Sequence, residues 1–140
     1  MRGPDWTVIR RFAAGDILAI ATFVVVGELS HGIDPVATPL IVLDTALPFL
    51  LGWLLVAPLV GAYTRRVLDG PRWLIGLSLT AWVGADVLAQ LLRDTAAFHG
   101  SGDPIFFVVA AVVGGSLLVG GRLAVTAVTN WEGPGIDRKL

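Results

Sequence analysis

The chain has 140 residues, of which 55% are hydrophobic and 15% are charged, and its mean hydropathy is +0.78. A soluble domain carries more charge and less apolar surface than this. The absence of cysteine excludes disulfides, thiolate nucleophiles and cysteine-bound metals. Because the net charge is −1, no basic field would attract nucleic acid, and we expect no nucleic-acid partner.

The apolar residues gather into four long blocks, which we predict to be membrane-spanning helices. At a rise of about 1.5 Å per residue, each block can cover the roughly 30 Å hydrocarbon core of a bilayer, some with tilt. Helix is the expected form because an open strand would leave backbone groups unpaired in lipid. The sequence therefore predicts an all-α, polytopic membrane bundle of four transmembrane helices in two hairpins, within a single integral membrane domain over residues 1–140. The predicted spans are about 13–30, 38–62, 73–92 and 105–129.

The first block could be mistaken for a secretory signal peptide, because Arg10 and Arg11 precede its apolar run. However, Asp16 interrupts the start of that run, and residues 26–31 offer no small-x-small cleavage site. We therefore expect this block to be a retained transmembrane helix.

The second block contains two prolines, Pro48 and Pro58, which lie nearly on the same helical face as Asp44. Each proline removes one backbone hydrogen bond and tends to kink the helix. Pro48 frees the carbonyl oxygen of Asp44, so a carboxylate and an unpaired backbone oxygen would lie at one depth. This pair is a candidate proton or cation site. The alternative is a packed kink in which Asp44 is protonated or bonded to a neighbouring helix.

Small residues recur at four-residue spacing in the third and fourth blocks, where they would allow helices to approach closely. We therefore expect these two spans to form the tightly packed centre of the bundle. The residues concerned are Gly76, Thr80 and Gly84 in the third block and Ser116, Gly120 and Ala124 in the fourth.

Basic residues concentrate in the N-terminal segment, the connection between the second and third blocks, and the C-terminal tail. The other two connections contain only Arg93. The positive-inside rule therefore predicts a multi-pass protein of the cell membrane with both termini in the cytoplasm. The basic residues that set this orientation are Arg2, Arg10, Arg11, Arg65, Arg66, Arg72, Arg138 and Lys139.

Two ionisable residues, Asp16 and Arg122, lie at comparable depth near the predicted cytoplasmic ends of the first and fourth blocks. An ionisable group inside a span costs about 2.5–3.5 kcal/mol, so each needs a partner or a purpose. We predict a structural ion pair between them. The alternative is that each side chain extends separately to the cytoplasmic head groups.

Four titratable residues lie toward the opposite, outer ends of three blocks: Glu28 and His31 in the first, Asp44 in the second and Asp86 in the third. Carboxylates that are buried or close together can hold a proton near neutral pH, and a histidine can relay it. We interpret the four as a candidate outer-leaflet site for protons or cations. The alternative is that Glu28 and His31 are wetted interface residues, that Asp86 bonds Gln90 or Arg93, and that nothing is transported.

Motifs of catalysis are missing from the sequence, which has no phosphate-binding loop, nucleophile elbow or metal-ligating histidine pair. We therefore predict no enzyme, no metal and no cofactor. The leading hypothesis is a small transporter or channel, and the alternative is a non-catalytic scaffold or accessory subunit of a larger complex. The expected partners are the lipid bilayer and either a second copy of the chain or another membrane protein.

Several short segments resemble a family of small membrane proteins, domain-of-unknown-function family 3054. The segments are Gly15-Asp16, residues 27–32 (GELSHG), residues 48–53 (PFLLGW) and Gly121-Arg122. The resemblance implies an integral membrane protein of four helices and singles out Asp16, His31, Pro48 and Trp53. It implies no substrate.

Overall fold

Four long helices make up most of the computed structural model, which describes residues 3–100 and 102–130. All four are long and apolar enough to cross a membrane, and no strand occurs among the described residues. The predicted all-α bundle is confirmed. Of the residues used to predict orientation, Arg2, Arg138 and Lys139 lie outside the described residues. The helices are α1 (Trp6–Ser30), α2 (Pro39–Val60), α3 (Pro71–Arg93) and α4 (Pro104–Asn130).

Helix α1 begins seven residues before the predicted span, because a capping residue precedes it. The Oδ1 atom of Asp5 accepts a hydrogen bond of 2.9 Å from the backbone N–H of Thr7. Asp103 caps α4 in the same way, accepting from Ile105 at 2.8 Å, and Pro104 follows as the first helical residue. A side-chain acceptor and an early proline satisfy or remove amide donors that a helix start leaves unpaired.

Helix α2 runs continuously through Pro48 and Pro58 to Val60, and Gly61 caps its C-terminus. Gly61 has a φ of +93°, a conformation that glycine adopts without steric cost. The prolines therefore do not interrupt the helix, and bending at either of them stays a prediction.

The closest helix pair is α2 with α3, and glycines make the approach possible. A Cβ atom added to Gly52 would clash with the backbone carbonyl oxygen of Ala85, and one added to Gly84 would lie 2.9 Å from Val56 Cγ1. Small residues permit this contact because no side chain separates the two backbones. The expectation that α3 and α4 form the tight centre is therefore wrong in part, since α2 is the closer partner of α3.

Helix α4 presents different small residues to the interior than the four-residue spacing predicts. Gly114 and Gly115 are buried against the indole of Trp82. The helix widens to a π turn over Ala110–Gly114, and Trp82 Nε1 donates a 2.9 Å hydrogen bond to the carbonyl oxygen of Ala110. Such turns are typical of places where a bulky side chain is accommodated or a function is carried out. The small residues that were predicted to face a neighbouring helix, Ser116, Gly120 and Ala124, are exposed instead.

One aromatic side chain from each helix forms a layer across the middle of the bundle. Phe23 packs edge-on against Phe49 and Trp82, with ring centroids 5.3 and 5.9 Å apart. Phe49 stacks on Trp82 at 5.9 Å, and Phe106 completes the layer 6.1 Å from Phe49. We call these four residues the aromatic layer. Aromatic pairs at these separations are favourable beyond the area they bury.

The outer surface of the helices is covered with large apolar side chains. A soluble protein rarely exposes so many together, and lipid is the solvent that such a surface suits. Examples that are more than half exposed include Leu18, Leu40, Leu54, Leu55, Leu59, Leu91, Val108, Val112 and Val128.

Candidate functional site

The bundle has two chemically different ends. One holds the start of α1, the α2–α3 connection and the end of α4, and we call it the basic end because of its arginines. The other holds the α1–α2 and α3–α4 connections, and we call it the pocket end. The arginines of the basic end are Arg10, Arg11, Arg65, Arg66 and Arg72.

Near the basic end, Asp16 of α1 and Arg122 of α4 form a bidentate ion pair. Arg122 Nε donates to Asp16 Oδ1 at 2.8 Å, and Nη2 donates to Oδ2 at 2.7 Å. Both side chains are only 1% exposed. The structure thus brings together the two residues that the sequence analysis paired.

Three further groups complete the coordination of this pair. The Nη1 atom of Arg122 donates to the Ala62 carbonyl at 2.8 Å and to Ser78 Oγ at 3.1 Å. The Tyr63 hydroxyl donates to Asp16 Oδ2 at 2.5 Å. With Trp53, whose Nε1 donates to the Tyr63 oxygen at 3.0 Å, these residues join all four helices. We call Asp16, Trp53, Tyr63, Ser78 and Arg122 the ion-pair network.

The hydrogen-bonding groups of Asp16 and Arg122 are satisfied within the described residues. No nitrogen of Arg122 and no oxygen of Asp16 is among the buried side-chain atoms that lack a partner in the described residues. The guanidinium also lies 5.0 Å from the ring centroids of Phe12 and Tyr63, where cation–π attraction adds to the ionic one. Burial, and next the charge of Asp16, raise the pKa of Tyr63. Tyr63 therefore stays a neutral phenol whose hydroxyl donates a hydrogen bond to the carboxylate of Asp16.

Along α3, a buried stripe of side chains leads away from the ion-pair network at intervals of one helical turn. Ser78 belongs to the network, Trp82 to the aromatic layer, and Asp86 and Gln90 follow. Residues four apart lie above one another on a helix, so these four share one face. Trp82 of the aromatic layer therefore lies between Ser78 of the ion-pair network and Asp86 along α3.

Asp86 differs from Asp16 in having no cationic partner among the described residues. Its Oδ1 atom accepts a 3.0 Å hydrogen bond from Gln90 Nε2. Its Oδ2 atom and the Oε1 atom of Gln90 are both buried, and neither has a partner in the described part of the chain. Asp86 itself is 0% exposed.

This arrangement leaves two buried acceptors and no donor between them. A buried acceptor without a hydrogen bond is costly, and an unpaired ionised carboxylate costs more. One proton on Asp86 would remove the charge and supply a donor, which this pair of side chains lacks at Asp86 Oδ2. The Asp86–Gln90 pair therefore has two buried acceptor atoms without a donor in the described residues.

A shallow, open cavity at the pocket end lies beside Gln90. It has a volume of about 230 Å³ and lies between α3 and α4. Gln90 is in its wall, together with Asp94 and Asp103. Gln90 also donates a hydrogen bond to Asp86, which does not itself line the cavity.

Asp44 lies apart from Asp86 and holds the α3–α4 connection. Its Oδ2 atom accepts a 2.9 Å hydrogen bond from the backbone N–H of His99 and lies 3.3 Å from the Nδ1 atom of the same residue. The side chain of His99 is fully exposed, and that of Asp44 is 26% exposed. The carboxylate thus fixes a loop.

Glu28 and His31 line a second, larger cavity of about 410 Å³ at the pocket end. Glu28 Oε1 accepts a 2.6 Å hydrogen bond from the Thr45 hydroxyl. His31 Nδ1 lies 2.8 Å from the carbonyl oxygen of Gly27, and because a carbonyl can only accept, Nδ1 carries the hydrogen.

The predicted convergence of four titratable groups on one site is therefore corrected. Glu28 and His31 share the larger cavity, but Asp44 and Asp86 line neither this cavity nor the smaller one. The reason is helical facing, since Asp86 points into the bundle interior and Asp44 points toward the α3–α4 connection. Position along a helix predicts which residues lie at the same depth in the membrane. It does not predict which of them point toward the same side of the bundle.

Several residues of the ion-pair network and of the larger cavity were not predicted from the sequence. Tyr63 and Ser78 were not assigned a role, and neither was Thr45. A signal for Ser78 was present, because it lies at four-residue spacing with Trp82 and Asp86. For Tyr63 no such signal exists, since a connection brings it back toward α1.

The fold and these two buried polar layers define a four-helix protein of the membrane class. The comparison with known families then identifies the group: the family model described as "Protein of unknown function (DUF3054)" matches residues 13–125. The chain belongs to this family, and the match covers both Asp16 and Arg122 as well as Asp86. No curated protein and no solved structure matches the chain.

Proposed function

We propose that this protein is a small transporter or channel that handles protons or cations at the Asp86–Gln90 pair. The observation that carries the proposal is the contrast between its two fully buried aspartates. Asp16 has an arginine and a phenol on its oxygens, whereas Asp86 has one amide and an unpaired Oδ2. Ionisable groups at membrane depth are costly and mark ion pathways when no structural partner explains them.

The proton is the species that fits the pair best. A metal cation needs several oxygen ligands around it, whereas a proton needs one oxygen to hold it and one acceptor to face. Asp86 Oδ2 and Gln90 Oε1 are two such atoms without partners in the described residues. Loss and return of that proton would be the elementary step of transport.

The orientation of the pathway follows from the arginines of the basic end, which the positive-inside rule assigns to the cytoplasm. The pocket end then faces outward, and the protein is a multi-pass component of the cell membrane with cytoplasmic termini. The cavity beside Gln90 would give access from outside, and the aromatic layer would close the inward route until Trp82 moves. Four helices seldom enclose a pathway alone, so we expect a homo-oligomer.

The test is flux into proteoliposomes that contain a trapped pH-sensitive dye, driven by a potassium diffusion potential. The wild type is expected to acidify or alkalinise the lumen according to the sign of the potential. Asp86→Asn should reduce this flux to that of empty liposomes, because the amide cannot exchange the proton. Asp44→Asn is the matched control and should keep it, since Asp44 only anchors a loop. Equal flux in the wild type and Asp86→Asn would overturn the proposal.

The second candidate is a non-catalytic scaffold or accessory subunit of a larger membrane complex. It is favoured by the exposed small residues Ser116, Gly120 and Ala124 on α4, where another transmembrane helix could approach closely. Mass measurement after mild detergent extraction separates the two candidates. A homo-oligomer agrees with transport, and a monomer that co-purifies with a different membrane protein agrees with the accessory role. Neither candidate involves an enzymatic activity or a cofactor.

A further inference from the structure

The larger cavity at the pocket end has walls of mixed chemistry. Its volume is about 410 Å³, and the ends of α1 and α3 and the starts of α2 and α4 contribute to it. Mostly apolar cavities of several hundred Å³ with a few placed polar groups are typical ligand sites. The apolar wall consists of Phe23, Val24, Ile33 and Phe106, and the polar wall includes Glu28, His31, Thr45, Arg93 and Asp103.

Charges of opposite sign face this cavity without neutralising each other. Glu28 is bonded to a neutral hydroxyl, that of Thr45, and forms no salt bridge with Arg93 among the described residues. The Arg93 guanidinium lies 4.8 Å from the ring centroid of Phe106. Its Nε and Nη1 atoms have no hydrogen-bond partner in the described part of the chain. A ligand with both charges could pair with Glu28 and with Arg93, because charge-assisted hydrogen bonds are stronger than neutral ones.

The remaining polar side chains add to the negative side of the cavity. His31 commits its Nδ1–H to the Gly27 carbonyl, so in the neutral ring Nε2 can only accept a hydrogen bond. Asp103 uses one carboxylate oxygen to cap α4 and has the other available. Glu28, His31 and Asp103 would thus favour an ammonium group, and Arg93 would favour a carboxylate or phosphate.

We propose that this cavity binds a compact zwitterion, with an ammonium group against Glu28, an anionic group against Arg93 and its carbon skeleton against the apolar wall. This chemistry has two sources, a free amino-acid-like solute and the ethanolamine head group of a phospholipid. The proposal does not depend on proton movement at Asp86. Asp86 lines neither cavity, and its hydrogen-bond partner Gln90 lines the smaller one. Binding can therefore be tested whether or not the proposed transport holds.

The first arm measures binding of radiolabelled glycine, L-alanine and L-leucine to the full chain in nanodiscs of phosphatidylcholine and phosphatidylglycerol. Neither lipid has an ammonium group with hydrogens to donate. Two analogues act as competitors: L-leucine amide keeps the ammonium group alone, and 4-methylpentanoate keeps the carboxylate alone. Each analogue should compete at least about tenfold more weakly than L-leucine, because one charged contact is lost.

The second arm uses vesicles that contain phosphatidylethanolamine beside those two lipids, followed by native mass spectrometry of the released protein. Selective retention of phosphatidylethanolamine without binding of the free amino acids assigns the site to the lipid head group. Binding of an amino acid without such retention assigns it to a solute. Both results support the zwitterion.

Two variants and two controls connect binding to the cavity. Glu28→Gln and Arg93→Gln should each weaken binding about tenfold or more, while Asp69→Asn and Arg72→Gln, which make the same charge changes at exposed positions of the basic end, should leave it unchanged. The proposal is overturned if no zwitterion binds in either arm, if L-leucine binds and a single-charge analogue competes as well as L-leucine does, or if both cavity variants bind like the wild type. The analogue comparison needs only the wild type, so a variant that fails to fold leaves that decision intact.

Discussion

The ion pair between Asp16 and Arg122 should be the most sensitive point for stability in the bundle. Removing one partner of a buried, hydrogen-bonded ion pair leaves an uncompensated charge and costs about 3–5 kcal/mol. The upper part of that range is expected here, because both side chains are 1% exposed. Asp16→Asn would leave a buried guanidinium with no carboxylate. Arg122→Met would leave a buried carboxylate whose remaining donor is Tyr63.

The double variant separates the ion pair from the surrounding contacts. Asp16→Asn combined with Arg122→Met removes both charges, so its cost should be close to that of one single variant and well below the sum of the two. Arg72→Met serves as the control, because Arg72 is exposed, and it should change the free energy of unfolding by less than about 0.5 kcal/mol.

The assay is equilibrium unfolding in mixed micelles of a mild detergent and dodecyl sulfate, followed by circular dichroism. If Asp16 and Arg122 form a buried ion pair, each single variant should lose much of the free energy of unfolding, and the two losses should not add in the double variant. Two single variants that each cost as little as Arg72→Met would refute it, and so would a double variant whose cost equals the sum. Either result would mean that Asp16 and Arg122 reach water or head groups separately.

Two further predictions concern the helix contact and the capped start of α1. Gly52→Ala should destabilise the bundle by about 1–3 kcal/mol, because the new methyl group would clash with the Ala85 backbone. Gly120→Ala has open space around it and should be neutral or slightly stabilising in the same unfolding assay; equal costs would contradict the packing described. The hydrogen bond from Arg65 holds the pKa of Asp5 below its usual 3.8. The stabilisation from this pair is therefore full above that value and is lost as the pH falls through the lower folded-state pKa. Arg65→Gln should return the pKa of Asp5 toward 3.8 in an NMR titration, and an unchanged value would contradict the contact.

The sequence predicted the four helices and their approximate ends because lipid imposes simple requirements on span length and backbone bonding. It also predicted the partner of Asp16, because a cation at the same depth offsets the free-energy cost of burying a carboxylate. These conclusions needed only distance along a helix. Asp16 and Arg122 do lie together in the bundle.

Several predictions about which side of a helix faces the bundle interior were wrong. Asp44 and Asp86 have similar depth, but the first turns toward His99 and the second toward the bundle interior. The α4 stripe through Gly120 turns outward because the π turn and the contact of Gly114 with Trp82 rotate the helix onto another face. A π turn adds a residue to one turn of the helix, so it shifts every later residue relative to a regular count. The pattern of apolar residues in the sequence does not predict the π turn.

The proposed proton site at Asp86 can be tested by measuring whether its carboxyl group is protonated. Infrared spectroscopy of the protein labelled with carboxyl-¹³C aspartate, in nanodiscs at neutral pH, reports the carbonyl band of a neutral aspartic acid. If Asp86 is protonated, this band should be present in the wild type and in Asp44→Asn and should disappear in Asp86→Asn. A wild-type spectrum without the band, or a band that survives in Asp86→Asn, would contradict it.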